Sequence, residues 1–456
     1  MTRPTPTLWL HRFAVFTAAA TLCLIWVGGL VTSHGAGMAV PDWPTSYGYN
    51  MFYFPIGKWV GGIFYEHTHR LLAAGVGLLT SILAAWNWGR ETTGRARWLG
   101  WIAIGVLVGM LSHRGSPRAP AGGIENVPMH FKVLAAVLPV LLAFGVGQIV
   151  RTRGSLRWLA MTAFFAVIFQ GILGGFRVAN MQDALGIFHA TLAQLFLVLL
   201  SGIALVTSRW WSSGDLRAGG APTSSLSPRG TSGERGNSQS EPPSSPRPSP
   251  PSEGGEGVGC PKLPVYGTGR LRYLFPLVTG LVLTQLILGA SMRHQHAGLA
   301  IPDFPFAYGK IWPATDEVSI ARYNQNRVEL NAANPITAGQ VVLQMVHRGT
   351  ALLLFAGVAW LAGAARRRFG AGSPVARLSA FWLGLVLLQA VLGAATIWTG
   401  KAADIATLHV AMGAIVLVTG GLLSMITFRA SGVAAGQGSR RQLTSATGLD
   451  FEAVRA

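Results

Sequence analysis

Histidine is the residue type to follow in this chain. His69 lies in Glu66-His67-Thr68-His69-Arg70 and His189 in Gly186-Ile187-Phe188-His189, while His347 lies in Gln344-Met345-Val346-His347-Arg348 and His409 in Thr407-Leu408-His409-Val410. All four fall near the ends of apolar runs, and the second pair repeats the first. An imidazole facing lipid is costly, so a buried membrane histidine usually has a partner or a job. Two imidazoles from facing helices supply two neutral nitrogen ligands, and in an apolar cavity that set suits haem iron. The alternative is four buried rings bonded to neighbouring carbonyls.

Their neighbours differ between the pairs. Glu66 precedes His69 by three residues, so both point to one helix face. A carboxylate there costs about 2.5–3.5 kcal/mol at mid-membrane and less near the interface. Gln344 stands in its place before His347. The halves share candidate ligands but not the acid, which puts reaction chemistry in the first half and a redox relay in the second. Arg70 and Arg348 each follow a histidine and either pair with haem propionates or anchor their helices. His67, offset by about 200° from His69, faces lipid or a loop. His11, His34, His113, His130, His294 and His296 are expected at helix ends or in loops, solvated or capping. Asp42 and Asp303, each between prolines, are expected to cap outer loops rather than catalyse.

The elements that carry these residues are membrane helices. Half of the residues are hydrophobic and 12% are charged, the balance of an all-α polytopic membrane protein. The net charge of +19 sits largely in short loops between apolar runs, so no basic soluble domain exists to bind nucleic acid. Spanning runs lie near 13–33, 60–88, 131–150, 157–176, 186–207, 271–292, 339–363, 378–398 and 404–428, with a shorter one over 98–112, about ten helices in all. The first reads as a retained helix rather than a cleaved signal. Loops with Arg90, Arg95 and Arg97, with Arg151, Arg153 and Arg157, and with Arg366, Arg367, Arg368 and Arg377 read as cytoplasmic, which puts both termini inside and 34–58 and 293–338 outside. Arg114 and Arg118 fall on the other side. Cys23 and Cys260 are too far apart in context for a disulfide, and no cysteine metal motif exists.

The chain is duplicated. Gly37-Met38-Ala39-Val40-Pro41-Asp42-Trp43-Pro44-Thr45-Ser46-Tyr47-Gly48 aligns with Gly298-Leu299-Ala300-Ile301-Pro302-Asp303-Phe304-Pro305-Phe306-Ala307-Tyr308-Gly309, and Gln170-Gly171-Ile172-Leu173-Gly174 resembles Gln389-Ala390-Val391-Leu392-Gly393. His69 and His189 are 120 residues apart but His347 and His409 only 62. The excess of 58 suffices for two spanning helices at about 1.5 Å rise per residue. The expected architecture is two homologous four-helix bundles in tandem: 1–211 with an extra hairpin at about 98–150, a Ser/Pro/Gly-rich linker at 212–268, a second half at 269–428, and a polar tail at 429–456.

With Gly-x-Ala-x-Pro-Asp-Trp-Pro at 37–44, Glu66-x-x-His69-Arg70 and the repeated helix histidines, the sequence resembles the haem A synthase family of cytochrome oxidase assembly enzymes. The resemblance covers both halves. It implies oxidation of the C8 methyl of haem O to a formyl group, giving haem A. It implies a haem b between His347 and His409, the substrate haem at His69 and His189, and a requirement for Glu66. It also implies a bacterial plasma-membrane location, a haem O synthase and a membrane electron donor as partners, and leaves homo-oligomerisation open. Two departures stand out: Val40 and Ser46 occupy positions where many bacterial relatives carry a cysteine pair, and ten helices are expected where the family has eight.

Two rival functions fit parts of the pattern. A di-haem electron-transfer subunit predicts equivalent sites and no special role for Glu66. A transporter built from parallel repeats predicts broken helices and paired charges at mid-membrane, unlike histidines near the outer face.

Overall fold

The computed structural model describes residues 7–112, 127–152, 154–180, 182–213, 269–327 and 335–447. Twelve α-helices run through them: α1 Leu8–Ser33, α2 Gly61–Glu91, α3 Gly94–Ser112, α4 Met129–Arg151, α5 Leu156–Asn180, α6 Asp183–Val206, α7 Arg209–Ser213, α8 Leu271–His294, α9 Glu317–Gln325, α10 Ala338–Phe369, α11 Pro374–Trp398 and α12 Ala403–Thr447. All but α7 and α9 are long and apolar enough to cross a membrane, so the chain is an all-α polytopic membrane protein with ten candidate spans. The expected sites of His113, Arg114, Arg118, Arg153 and Cys260 lie outside the described residues.

Local chemistry explains the helix ends. Thr337 and Gln340 form a reciprocal capping box at the start of α10, and Ser373 caps α11 with Pro374 in its first turn. Both devices satisfy amides that a helix leaves open. Hydroxyls inside the spans return to their own backbone, as Thr80 does to Val76 at 2.8 Å and Thr427 to Leu423 at 2.9 Å. No water is available there, so that bond removes an unmet donor.

Helices α1, α2, α5 and α6 pack as a closed ring, and α8, α10, α11 and α12 form a second ring with the same neighbour order. The rings meet through their first and last helices: α1 on α12, α6 on α8, and α6 on α12. The extra pair lies outside the first ring, α3 against α2 and α4 against α5. Its outward faces, including Leu99, Ile102, Val137 and Val140, are exposed, as lipid-facing residues would be.

Small residues set the spacing between the rings. A Cβ on Gly421 of α12 would lie 2.9 Å from Val198 of α6, and one on Gly29 of α1 would lie 2.8 Å from Thr407 of α12. Close backbone approach of this kind is how membrane helices associate when lipid is as apolar as leucine. Polar bonds reinforce the seam at the C-terminal ends of α1 and α8. The Arg293 guanidinium of α8 donates to the Gly29 carbonyl at 2.6 Å and to Ser33, whose hydroxyl lies 3.0 Å from that of Thr407.

Several boundaries differ from expectation. Helix α6 begins at Asp183 rather than near 186, so His189 sits about seven residues in, not three. The tail expected to be merely polar continues α12 to Thr447. The short helix α9 between α8 and α10, capped by Asp316, left no apolar signal. Replacing Gly421 by Val should loosen the two rings and lower stability by about 1–3 kcal/mol, measured by unfolding in mixed micelles; unchanged stability would refute the tight α6–α12 seam.

Candidate functional site

Each of the four histidines lies against a glycine of the helix that precedes its own in the ring. A Cβ on Gly28 of α1 would sit 3.0 Å from Cε1 of His69, and one on Gly174 of α5 the same distance from His189. On the other side, Gly289 of α8 faces His347 at 3.3 Å and Gly393 of α11 faces His409 at 3.1 Å. The missing side chain at each glycine makes room for the ring.

The rings are paired across each bundle. His189 is close enough to His69 to interact electrostatically, and His347 to His409. In all four, Nδ1 is buried and has no hydrogen-bond partner. Such a nitrogen costs free energy unless something outside the polypeptide occupies the site. Among the described residues no three His, Cys, Asp or Glu side chains cluster as a metal site would require. A porphyrin iron needs only two axial ligands from the protein, so two imidazoles on facing helices fit that group.

Glutamine amides steady three of the four. Gln170 donates to the His189 carbonyl at 2.5 Å, Gln285 to that of His347 at 3.0 Å and Gln389 to that of His409 at 2.9 Å. Gln285 Nε2 also lies 3.1 Å from Nε2 of His347, and Gln389 Nε2 3.5 Å from that of His409. The match of Gln170 with Gln389 is visible in the sequence; the third member, Gln285, escapes a comparison confined to α5 and α11.

The residues flanking the histidines grip the loops that follow α1 and α8. Arg70 donates through Nη1 to the carbonyls of Asp42 and Thr45, at 2.6 and 2.9 Å, and through Nη2 to Val40 at 2.6 Å. Its Nη2 also pairs with Glu66 Oε1 at 2.8 Å. Arg348 repeats this with the carbonyls of Phe306 and Asp303, both at 2.8 Å. Of the two roles open for these arginines, anchoring is the one their hydrogen bonds describe. Glu66 Oε2 accepts the Val40 amide at 2.8 Å, and Gln344 Oε1 accepts the equivalent Ile301 amide at 2.8 Å. The acid and the amide therefore share one structural task.

The loops themselves are pinned alike. Asp42 accepts from the Tyr47 and Gly48 amides at 2.6 and 2.9 Å, and Asp303 from those of Tyr308 and Gly309 at 2.7 and 2.9 Å. Both aspartates cap, as expected. Burial alone would raise the Asp42 pKa, but hydrogen bonds from Gly48, Thr45 and Tyr47 and the Arg70 charge together bring it below the usual carboxylate value. Burial, with Tyr323 and Asp303 adding to it, pushes Tyr308 up to about 12, so its hydroxyl stays protonated and donates to the Ala300 carbonyl. His67 faces the loop: it is fully buried, 3.1 Å from the Ser46 hydroxyl, and boxed by Phe54 and Trp59.

Two basic residues were misjudged or missed. His294, expected to be solvated or capping at a helix end, is at the end of α8 but buried, and it packs on Gly186 of α6. Arg177 of α5 passes beneath Gly37, 2.8 Å from where a Cβ would be, and lies near both His69 and His189. Of the other helix-end histidines, His11 bonds the Ala204 carbonyl at 3.0 Å and His34 stacks on Tyr65.

Two tests follow from the loop clamps. Arg70→Met leaves the Glu66 carboxylate buried beside three abandoned carbonyls and should cost about 3–5 kcal/mol; adding Glu66→Gln should recover part of that loss in thermal unfolding, and no recovery would refute the pairing. The depressed Asp42 pKa contributes stability that is complete above about 3.9 and disappears as pH falls through the lower folded value. Protection factors of the amides across 42–48, with intrinsic exchange divided out, should therefore stay constant from pH 8 to pH 5 and fall only at lower pH.

Comparison with known proteins bears on the second ring. Residues 258–420 match the model of a family described as cytochrome oxidase assembly protein. The chain is also similar to a protein of Bradyrhizobium sp. (strain ORS 278) named Heme A synthase, at 33% identity over 150 residues. That stretch is 33% of this chain and covers only 39% of the relative.

Proposed function

We propose that the protein is a haem A synthase-like membrane oxidoreductase serving cytochrome oxidase assembly. The observation that carries this reading is the repeated placement of four buried imidazoles, each on a glycine shelf with Nδ1 unpartnered. His347 and His409 would hold a haem b, and His69 and His189 the haem O whose C8 methyl becomes the formyl group of haem A. A bis-histidine haem supplies one-electron transfer, being coordinatively saturated. The polypeptide supplies orientation through the shelves and glutamines, and an outer cover through the clamped loops.

In the amino-terminal half Glu66 is the proposed acid beside His69. Both of its oxygens are engaged, by Arg70 and by the Val40 amide, so any proton it moves must compete with that pair. Arg70 and Arg348 support the sites by fixing the loops over them, and Arg177 places a cation near the substrate pair. The amino-terminal bundle lacks thiols at the loop positions Val40 and Ser46, where packing and the bond to His67 take their place. The proposed setting is a bacterial plasma membrane with both termini cytoplasmic, a haem O synthase upstream and a membrane electron donor.

One observation favours a second reading. Glu66 and Gln344 bind equivalent loop amides, and equivalent sites are what a di-haem electron carrier would have. Purified protein settles the choice by haem extraction. Haem b together with haem O or haem A is expected; haem b alone at two per chain, with an unchanged spectrum in Glu66→Gln, would favour the carrier. His409→Ala should abolish the low-spin signal of the carboxyl-terminal site while the chain still inserts, and an unaltered spectrum would overturn that assignment.

A further inference from the structure

Superposing the registers of the two bundles shows four copies of one helical hairpin: α1 with α2, α5 with α6, α8 with α10, and α11 with α12. In each, the glycine that shelves the histidine stands four residues after a fixed position on the preceding helix. That position is Gln170 before Gly174, Gln285 before Gly289 and Gln389 before Gly393, but Leu24 before Gly28. Each glutamine ties the backbone carbonyl of its histidine to the neighbouring helix. Leucine has no side-chain donor, and on α1 only a backbone carbonyl, which any residue would supply, is directed toward the His69 ring. A second observation marks the three amides as part of the sites: Oε1 of Gln170, Gln285 and Gln389 is in each case buried and without a partner. Polar atoms left open beside the rings belong to a place something else completes.

We propose that Leu24 makes His69 the releasable ligand of the amino-terminal site. The carboxyl-terminal pair is tethered at both His347 and His409, as a resident haem requires. The amino-terminal pair is tethered by a glutamine only at His189, so a haem held there would exchange through release by His69. Substrate entry and product departure would then take place on the α1–α2 side of the bundle. This inference rests on the haem reading of the preceding subsection and adds the direction of exchange.

Interhelical hydrogen bonds in membranes average a modest strength with a broad spread, which converts to roughly three- to twentyfold in a rate that depends on breaking one. The test uses the full chain loaded with ferric protoporphyrin IX, with haem loss to excess apomyoglobin followed by absorption. In a His347→Ala/His409→Ala background, where only the amino-terminal site remains, Leu24→Gln should slow haem loss by that factor and raise the low-spin fraction. In a His69→Ala/His189→Ala background, Gln285→Leu should speed loss from the carboxyl-terminal site to a similar degree. Because the two substitutions act in opposite directions, general damage to the fold cannot produce both results. Low-spin haem whose loss rate is insensitive to Gln285→Leu, or is unchanged or faster with Leu24→Gln in a chain of unaltered melting temperature, would overturn the inference alone. A wild-type chain that takes up no low-spin haem would overturn the haem reading as well.

Discussion

A polar nitrogen held in an apolar interior without a partner is the condition around which this molecule is organised. Four imidazoles in repeated positions meet it, at His69, His189, His347 and His409, each with its Nδ1 buried and unpartnered. Glycine on the adjacent helix lets each ring lie close to the backbone, and the ring in turn fixes how near the two helices come. Replacing such a glycine would push the ring away from its opposite number. Helix spacing and ligand geometry are thus one constraint, satisfied four times.

A second layer sits over the rings, built from the loops 34–60 and 295–337. Arg70 and Arg348 are charged side chains near the membrane boundary whose cost is met by loop carbonyls, while Glu66 and Gln344 accept one loop amide each. The loops are irregular backbone, and irregular backbone at this depth needs internal partners. The helices that carry the histidines therefore also hold the cover in place, from residues directly beside them. A change at the cover is felt one helical turn from the rings.

Much of this was legible in the sequence. Apolar length disclosed ten spans, the Pro-Asp-aromatic-Pro runs disclosed the duplication, and the spacing between histidines located the added pair of helices. Side-chain engagement was not legible. Glu66 against Gln344 reads as chemistry against its absence, yet both perform the same loop bond, because a carboxylate and an amide oxygen can each accept a backbone amide. His294 reads as a solvated helix end, since nothing in a one-dimensional pattern says that another bundle lies over it. The shelf glycines resemble the many others that allow packing; only the ring found on each sets them apart. The fourth member of the glutamine series hid itself by being a leucine.

The bond between Ser33 and Thr407 joins residues 374 positions apart. During synthesis the first span enters the bilayer long before its partner exists, so the seam between the bundles stays open until the final span is delivered. Gly29, adjacent to the shelf of His69, finds Thr407 only then. Translation of the second half thereby finishes the first, and a ribosome stalled short of the last helix leaves the earlier-made bundle without the neighbour that packs on Gly29.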